Sequence, residues 1–165
     1  MATSIQETHC YPETAEQLFD VHSTPDLIVT RYSDIQARNA KVLQSDFDGD
    51  QYQLHTQREI NTNLPPALAA FANEWNTITQ KERWNKTPEG AYQCNFDLEI
   101  EGLPGKASGS MFIQNTDTGC SNEIELSVSC AIPFIDKQVE AFILSECMES
   151  INAEHLWVKN YFSSE

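Results

Sequence analysis

Basic side chains are scarce in this chain: ten Lys and Arg stand against 25 Asp and Glu, a formal charge of −15 over 165 residues. So acidic a surface repels phosphate backbones and anionic headgroups, which argues against nucleic acid as a partner. Long apolar runs are missing as well. No stretch approaches the ~20 apolar residues of a membrane span, and Met1 to Glu7 lacks the basic start and apolar core of a signal peptide. A cytoplasmic protein with no integral membrane segment is therefore expected. The five cysteines, at 10, 94, 120, 130 and 147, form no CxxC or Cys/His spacing and read as free thiols. The four histidines, His9, His22, His55 and His155, are scattered, and none has the i, i+4 partner or cysteine company of a metal ligand. No metal or cofactor is expected. Walker, Rossmann and GxSxG patterns are also absent, so nucleophilic serine chemistry has no support.

What is present is the composition of a folded globule. Apolar residues make up 40% of the chain and charged ones 21%, and aromatic residues are spread from Tyr11 to Phe162. The length suits a single domain spanning 1–165. The acids build no tail: Asp97, Glu99, Glu123 and Glu125 alternate with apolar residues, the pattern of a solvated sheet face.

A short extended stretch, Ile5 to Cys10, is followed by Thr14 and Gln17, which form a capping box opening a helix through Val21. Ser23-Thr24-Pro25-Asp26 then supplies a cap, a first-turn proline and an acid at the positive end of the helix dipole, predicting a helix from Pro25 to about Ile35. Lys41 to Ile60 reads as a hairpin turning at Asp48-Gly49, with Tyr52, Leu54, Thr56, Arg58 and Ile60 on one face. The segment around it is no calcium loop, because the glycine comes two places early and Gln57 stands where a bidentate acid is needed. After Pro65-Pro66 and a helical turn within Ala67 to Phe71, four further strands are predicted: Glu74 to Trp84, Ala91 to Ile100, Lys106 to Gln114 and Ser121 to Ile132. Tyr92, Cys94, Phe96, Leu98 and Ile100 alternate with polar residues, as do Ile124, Leu126, Val128, Cys130 and Ile132, so one sheet face is wet and the other covered. The cover is the last segment, helical in period from Pro133 to about Lys159, with Val139, Phe142, Ile143, Cys147, Ile151 and Val158 on its apolar side.

Four motifs occur in order along this frame: Leu64-Pro65-Pro66; Glu82 to Trp84; Gly102-Leu103-Pro104 leading to Ser108-Gly109-Ser110; and Ile132-Pro133-Phe134-Ile135-Asp136-Lys137-Gln138-Val139-Glu140. With the element order they resemble the START-like (SRPBCC, helix-grip) superfamily of polyketide cyclases, pollen-allergen-like proteins and lipid-transfer domains. Within it the chain is most similar to an uncharacterised bacterial family catalogued as a domain of unknown function. That family usually has glycine where Asp136 stands, a departure confined to the start of the last helix. The resemblance implies an α+β helix-grip fold, a curved antiparallel sheet of about six or seven strands around a long C-terminal helix, with two short helices after the first strand. It also implies a cavity between sheet and helix, but no catalytic residues.

The expected occupant is a small apolar or amphipathic molecule, and the expected lining is Tyr52, Leu54, Arg58, Phe96, Leu126, Val139, Phe142, Ile143 and Glu146. Glu146 falls on the helical arc that faces the sheet. It either bends to solvent, serves as a polar cavity group, or pairs with Arg58 or Arg83. Arg58 either points inward, where it can bind a carboxylate or phosphate, or sits at a solvated strand edge. Trp75, Trp84 and Trp157 either wall the cavity or fill the core, His55 is expected at the surface, and Gly109 is expected to allow a bulge or curvature. Two other readings stand beside a carrier: a cyclase- or hydrolase-like enzyme using Glu146, Arg58 or a tyrosine, and an interaction module whose cavity is filled.

Overall fold

Alternation of apolar and polar residues, clearest over Tyr92–Ile100 and Gly119–Cys130, builds the middle of the sheet. In the computed structural model, which describes residues 2–62, 64–71 and 73–164, the described residues form seven strands and three α-helices. The strands are β1 (Ala2–Tyr11), β2 (Arg38–Asp48), β3 (Gln51–Asn61), β4 (Trp75–Lys86), β5 (Tyr92–Ile100), β6 (Gly105–Thr116) and β7 (Gly119–Cys130). They pair antiparallel throughout, in the order β1-β7-β6-β5-β4-β3-β2. Along β5 the residues from Tyr92 to Ile100 are buried at every second position, and Asn95, Asp97 and Glu99 face water. β7 repeats the pattern with Ile124, Leu126, Val128 and Cys130 buried and Glu123 and Glu125 exposed.

β2 departs from this pattern: most of its side chains are exposed, and its register with β3 shifts twice, between Arg38 and Lys41 and between Val42 and Gln44. Irregularities of this kind blunt an edge strand as a template for further pairing. The β2–β3 turn lies where expected, with Gly49 at φ 61°, a conformation that glycine adopts without steric cost. Of the bulge or curvature expected at Gly109, the bulge is absent, since β6 keeps continuous register with both neighbours. Glycine is needed there for space: a Cβ would collide with the Glu125 carbonyl and come within 2.8 Å of the Phe96 ring.

Between β1 and β2 lie α1 (Ala15–Ser23) and α2 (Pro25–Asp34). The capping box forms as predicted, with Thr14 Oγ1 accepting from the Gln17 amide and Gln17 Oε1 accepting from the Thr14 amide. Thr24 plays a different part from the one expected. It is the N-cap residue of α2 but gives no side-chain cap, because its hydroxyl donates to the Asp20 carbonyl and closes the end of α1. A single 3-10 turn, Pro66–Leu68, fills the Pro-Pro region.

The last helix, α3 (Asp136–Ser163), lies across the buried sheet face and completes a helix-grip architecture. Its buried side chains crowd into its first half, Val139, Glu140, Phe142, Ile143 and Cys147, with Val158 alone beyond them. Two features hold that half down. Gly105 leaves no room for a side chain: a Cβ would stand 2.6 Å from Ile143 Cδ1 and 2.9 Å from Val139 Cγ1. The buried Glu140 carboxylate accepts from Thr3 Oγ1 at 3.0 Å and from the Cys130 amide at 3.2 Å, tying α3 to β1 and β7.

Filling the contact at Gly105 with Gly105→Val should cost about 1–3 kcal/mol through overpacking, read as a lower urea midpoint at unchanged slope. Glu140→Ala leaves the Cys130 amide without its acceptor, and a loss of about 1–3 kcal/mol is expected from the same titration.

Candidate functional site: a charged chamber under the last helix

Beyond Cys147 fully buried side chains thin out along the helix, and two adjacent spaces lie beneath it. The inner one, about 70 Å³, is bounded by β1, β3 to β7, α1, α2 and the second half of α3. The outer one, about 310 Å³, lies between the end of α2, the β3–β5 strands and the middle of α3. Arg58, Leu98, Cys147 and Ser150 line both and so form the partition. The inner chamber has room for only a few waters, whereas pockets for small organic ligands run to roughly 300–1,000 Å³. Only the outer space, or the two joined across the partition, reaches that range.

The inner chamber is unusually charged for a core. Arg31, Arg58 and Glu82 are each 2–3% exposed. The Arg31 Nε atom stands 3.0 Å from Glu154 Oε1 without hydrogen-bond alignment, and its Nη1 is buried with no partner. Arg58 donates through Nη1 to Gln80 Oε1 at 3.2 Å and lies over the Tyr32 ring, 4.1 Å from its centroid. Gln80 in turn donates to Glu82 Oε2 at 2.9 Å, and the indole of Trp84 donates to Glu82 Oε1 at 2.9 Å. Burial raises the Glu82 pKa; the Trp84 hydrogen bond and the two arginines oppose this only in part. Asn122 Oδ1 in the same lining is buried without a donor.

A second group closes the side of the chamber at β1. Glu7, His9 and Tyr11 share a face of that strand, and His155 reaches them from α3. His9 Nε2 lies 3.1 Å from Glu7 Oε2, the His9 and His155 rings stack at 4.0 Å, and His155 Nδ1 is 2.7 Å from the Tyr11 hydroxyl. Burial raises the Tyr11 pKa, and burial together with His9 lowers that of His155. His22 is pushed down to about 3 by burial and by Arg31. At neutral pH His22 and His155 are therefore uncharged, and the Tyr11–His155 hydrogen bond is a place where a proton can be held or passed.

Of the residues expected from sequence, Arg58, Phe96 and Leu126 line the inner chamber, and Arg58 and Glu146 line the outer space. Glu146 is half-buried, its pKa raised by burial and by Glu149, with no ion-pair partner among the described residues. Tyr52 and Leu54 are core residues; the Tyr52 hydroxyl donates to the Ser23 carbonyl and its ring packs on Phe19 and Phe47. Val139, Phe142 and Ile143 belong to the tightly packed half of α3 and border neither space. The tryptophans do not wall the chamber either: Trp84 packs on Phe19, Trp75 stacks under Arg38, and Trp157 donates to Asp34. His55 is half-buried rather than at the surface, its Nε2 without a partner.

Sequence reasoning missed Arg31, Glu82, Glu154 and the His9–Tyr11–His155 group. Glu82 had a signal, since it shares its strand phase with Ile78 and Trp84. The histidines had none, because His9 and His155 are brought together only by the crossing of β1 and α3.

No curated protein matches the sequence. Among solved structures the fold is similar to an uncharacterized protein from Rhizobium leguminosarum, at 7% identity and TM-score 0.59 over 97% of this chain and 96% of that one. It is similar to Ara h 8.0201, at 10% identity and TM-score 0.60 over 96% and 98%. It is also similar to norcoclaurine synthase from Thalictrum flavum, at 14% identity and TM-score 0.56 over 96% and 87%. At such identities these likenesses speak to the fold alone. A family model matches residues 6–161, nearly the whole chain, and the protein therefore belongs to the family described as "Protein of unknown function (DUF2505)".

Proposed function

We propose that this protein binds a small amphipathic molecule between the sheet and the second half of α3. The carrying observation is an outer space of about 310 Å³ with an isoleucine and leucine wall (Ile35, Ile60, Ile78, Leu98 and Ile100) and the carboxylates Glu146 and Glu149 among its polar lining, beside a smaller chamber that holds the buried charged groups Arg31, Arg58 and Glu82. An apolar body gains by leaving water in the first, and a polar end finds donors in the second. The similar folds support the reading only as far as architecture goes. Arg31 Nη1 and Asn122 Oδ1, buried in the chamber lining with no partner among the described residues, favour a chamber that takes up a polar group over a filled interior that works through its outer surface alone.

A second reading has its own observation: Tyr11, His155 and Glu154 all line the same chamber, so titratable groups converge where the molecule would lie. This favours acid–base chemistry on the bound molecule, with Tyr11 and His155 as the proton-handling pair.

Ser150, half-buried and on the partition, is the place to block the space. Wild-type protein should enhance the fluorescence of the neutral probe N-phenyl-1-naphthylamine, and Ser150→Trp should abolish the enhancement while the protein stays folded by circular dichroism. Undiminished probe binding in Ser150→Trp would count against this site. If the protein turns over a substrate, Tyr11→Phe should lower kcat with the affinity for the probe unchanged; equal turnover in that variant removes Tyr11 from the chemistry.

A further inference from the structure

Arg58 is a cation in the wrong place for a protein interior. It is 2% exposed, and among the described residues no carboxylate oxygen comes within the 4.0 Å of an ion pair. Among the described residues one of its five N–H donors is used, toward the neutral Gln80 amide. The nearby acids are engaged elsewhere: Glu154 faces Arg31, and both oxygens of Glu82 are occupied by Gln80 and Trp84. Arg31 adds a second set of donors. Its guanidinium stands 5.2 Å from the centroid of the same Tyr32 ring that Arg58 covers at 4.1 Å, and its Nη1 is buried without an acceptor. A buried charge left without a counter-ion costs several kcal/mol, so such an arrangement points to an anion that arrives with the ligand.

We propose that the molecule held under α3 carries a carboxylate, received by the Arg58 guanidinium with Arg31 beside it, and that its apolar body lies in the outer space. This rests on the binding reading given above and narrows it to one ligand class. The planar two-oxygen head matches the fork of a guanidinium. The inner chamber, at about 70 Å³, suits a small head better than a tail. A phosphate would bring a second negative charge toward Glu154, which lines the same chamber. The tail meets Ile60, Ile78 and Ile100 in the outer space. Glu146 and Glu149 stand in that outer lining, half-buried and exposed respectively, where water screens them more than it screens Arg58, which is 2% exposed.

Calorimetric titration of the full chain with octanoate, octanol, octylamine and inorganic phosphate separates the possibilities. Octanoate should bind at least about tenfold more tightly than octanol, as a charge-assisted fork predicts, and phosphate and octylamine should bind negligibly. Arg58→Met should erase the preference for the acid and raise the melting temperature of the unliganded protein, because the uncompensated cation is gone. Arg58→Lys, which keeps the charge and loses the fork, should lower the octanoate-to-octanol affinity ratio severalfold. The proposal is overturned if octanol or octylamine binds as well as octanoate, if the acid preference persists in Arg58→Met or is unchanged in Arg58→Lys, or if phosphate binds as tightly as octanoate, which would make the site one for free anions. Binding of octanol alone overturns the carboxylate and leaves the binding reading standing; binding of none of the four overturns both.

Discussion

The close approach of α3 to the start of β6 sets the geometry of everything beneath the helix. With only a hydrogen on Gly105, Val139 and Ile143 come down onto the sheet, and Glu140 fixes the same half to β1 and β7 through Thr3 and Cys130. Farther along, the helix keeps contact with the fold at fewer points, through Val158, His155 on Tyr11, and Phe162 on the Tyr11 ring. The chamber lies under the stretch beyond Cys147, where the small or titratable side chains of Ser150, Glu154 and His155 stand among the apolar Ile151 and Val158. The packed half thus acts as the fixed point, and the second half forms the roof of a chamber.

Within that roof the electrostatics run opposite to the surface. The chain carries a net charge of −15, yet two arginines are buried together against one tyrosine ring. Burying cations is costly, and replacing such groups with apolar ones of similar size is often neutral or stabilising. Arg31 is only partly compensated by Glu154, which lies close but poorly aligned, and Glu82 is pushed toward its neutral form by burial. Groups that weaken a core in this way are commonly found where stability is exchanged for function. The lowered His22 and His155 pKa values have the same origin, burial beside other positive or potentially positive groups.

The architecture was legible because it depends on local signals. Period-two alternation marks β5 and β7, the wide apolar arc marks α3, and turn residues mark the β2–β3 hairpin. β2 reads less well, since an exposed edge strand has no buried face to impose alternation. Arg58 and Glu146 were legible in part, as polar residues in phase with apolar neighbours, and both border the spaces under α3. Val139, Phe142 and Ile143 carried the same helical signal as Cys147 and Ile151, and periodicity alone cannot tell which half of an apolar arc packs and which half spans a gap. That division comes from Gly105, whose part depends on where β6 begins relative to α3.

The two groups that border the chamber are built from different materials, which bears on how they can cooperate. The arginine group comes from α2 and β3 and offers fixed charge; the Glu7–His9–His155–Tyr11 group comes from β1 and α3 and offers exchangeable protons. Glu154 sits between them in sequence and in space, one residue before His155 and 3.0 Å from Arg31. A negative head drawn to Arg58 enters a chamber whose histidines, His22 and His155, are already held neutral, and it therefore favours proton uptake by them. Charge brought in by the ligand on the arginine side thus raises the basicity of the Tyr11–His155 pair on the other. The coupling follows from placing both groups around one small space of low dielectric, where opposite charges interact far more strongly than they do in water.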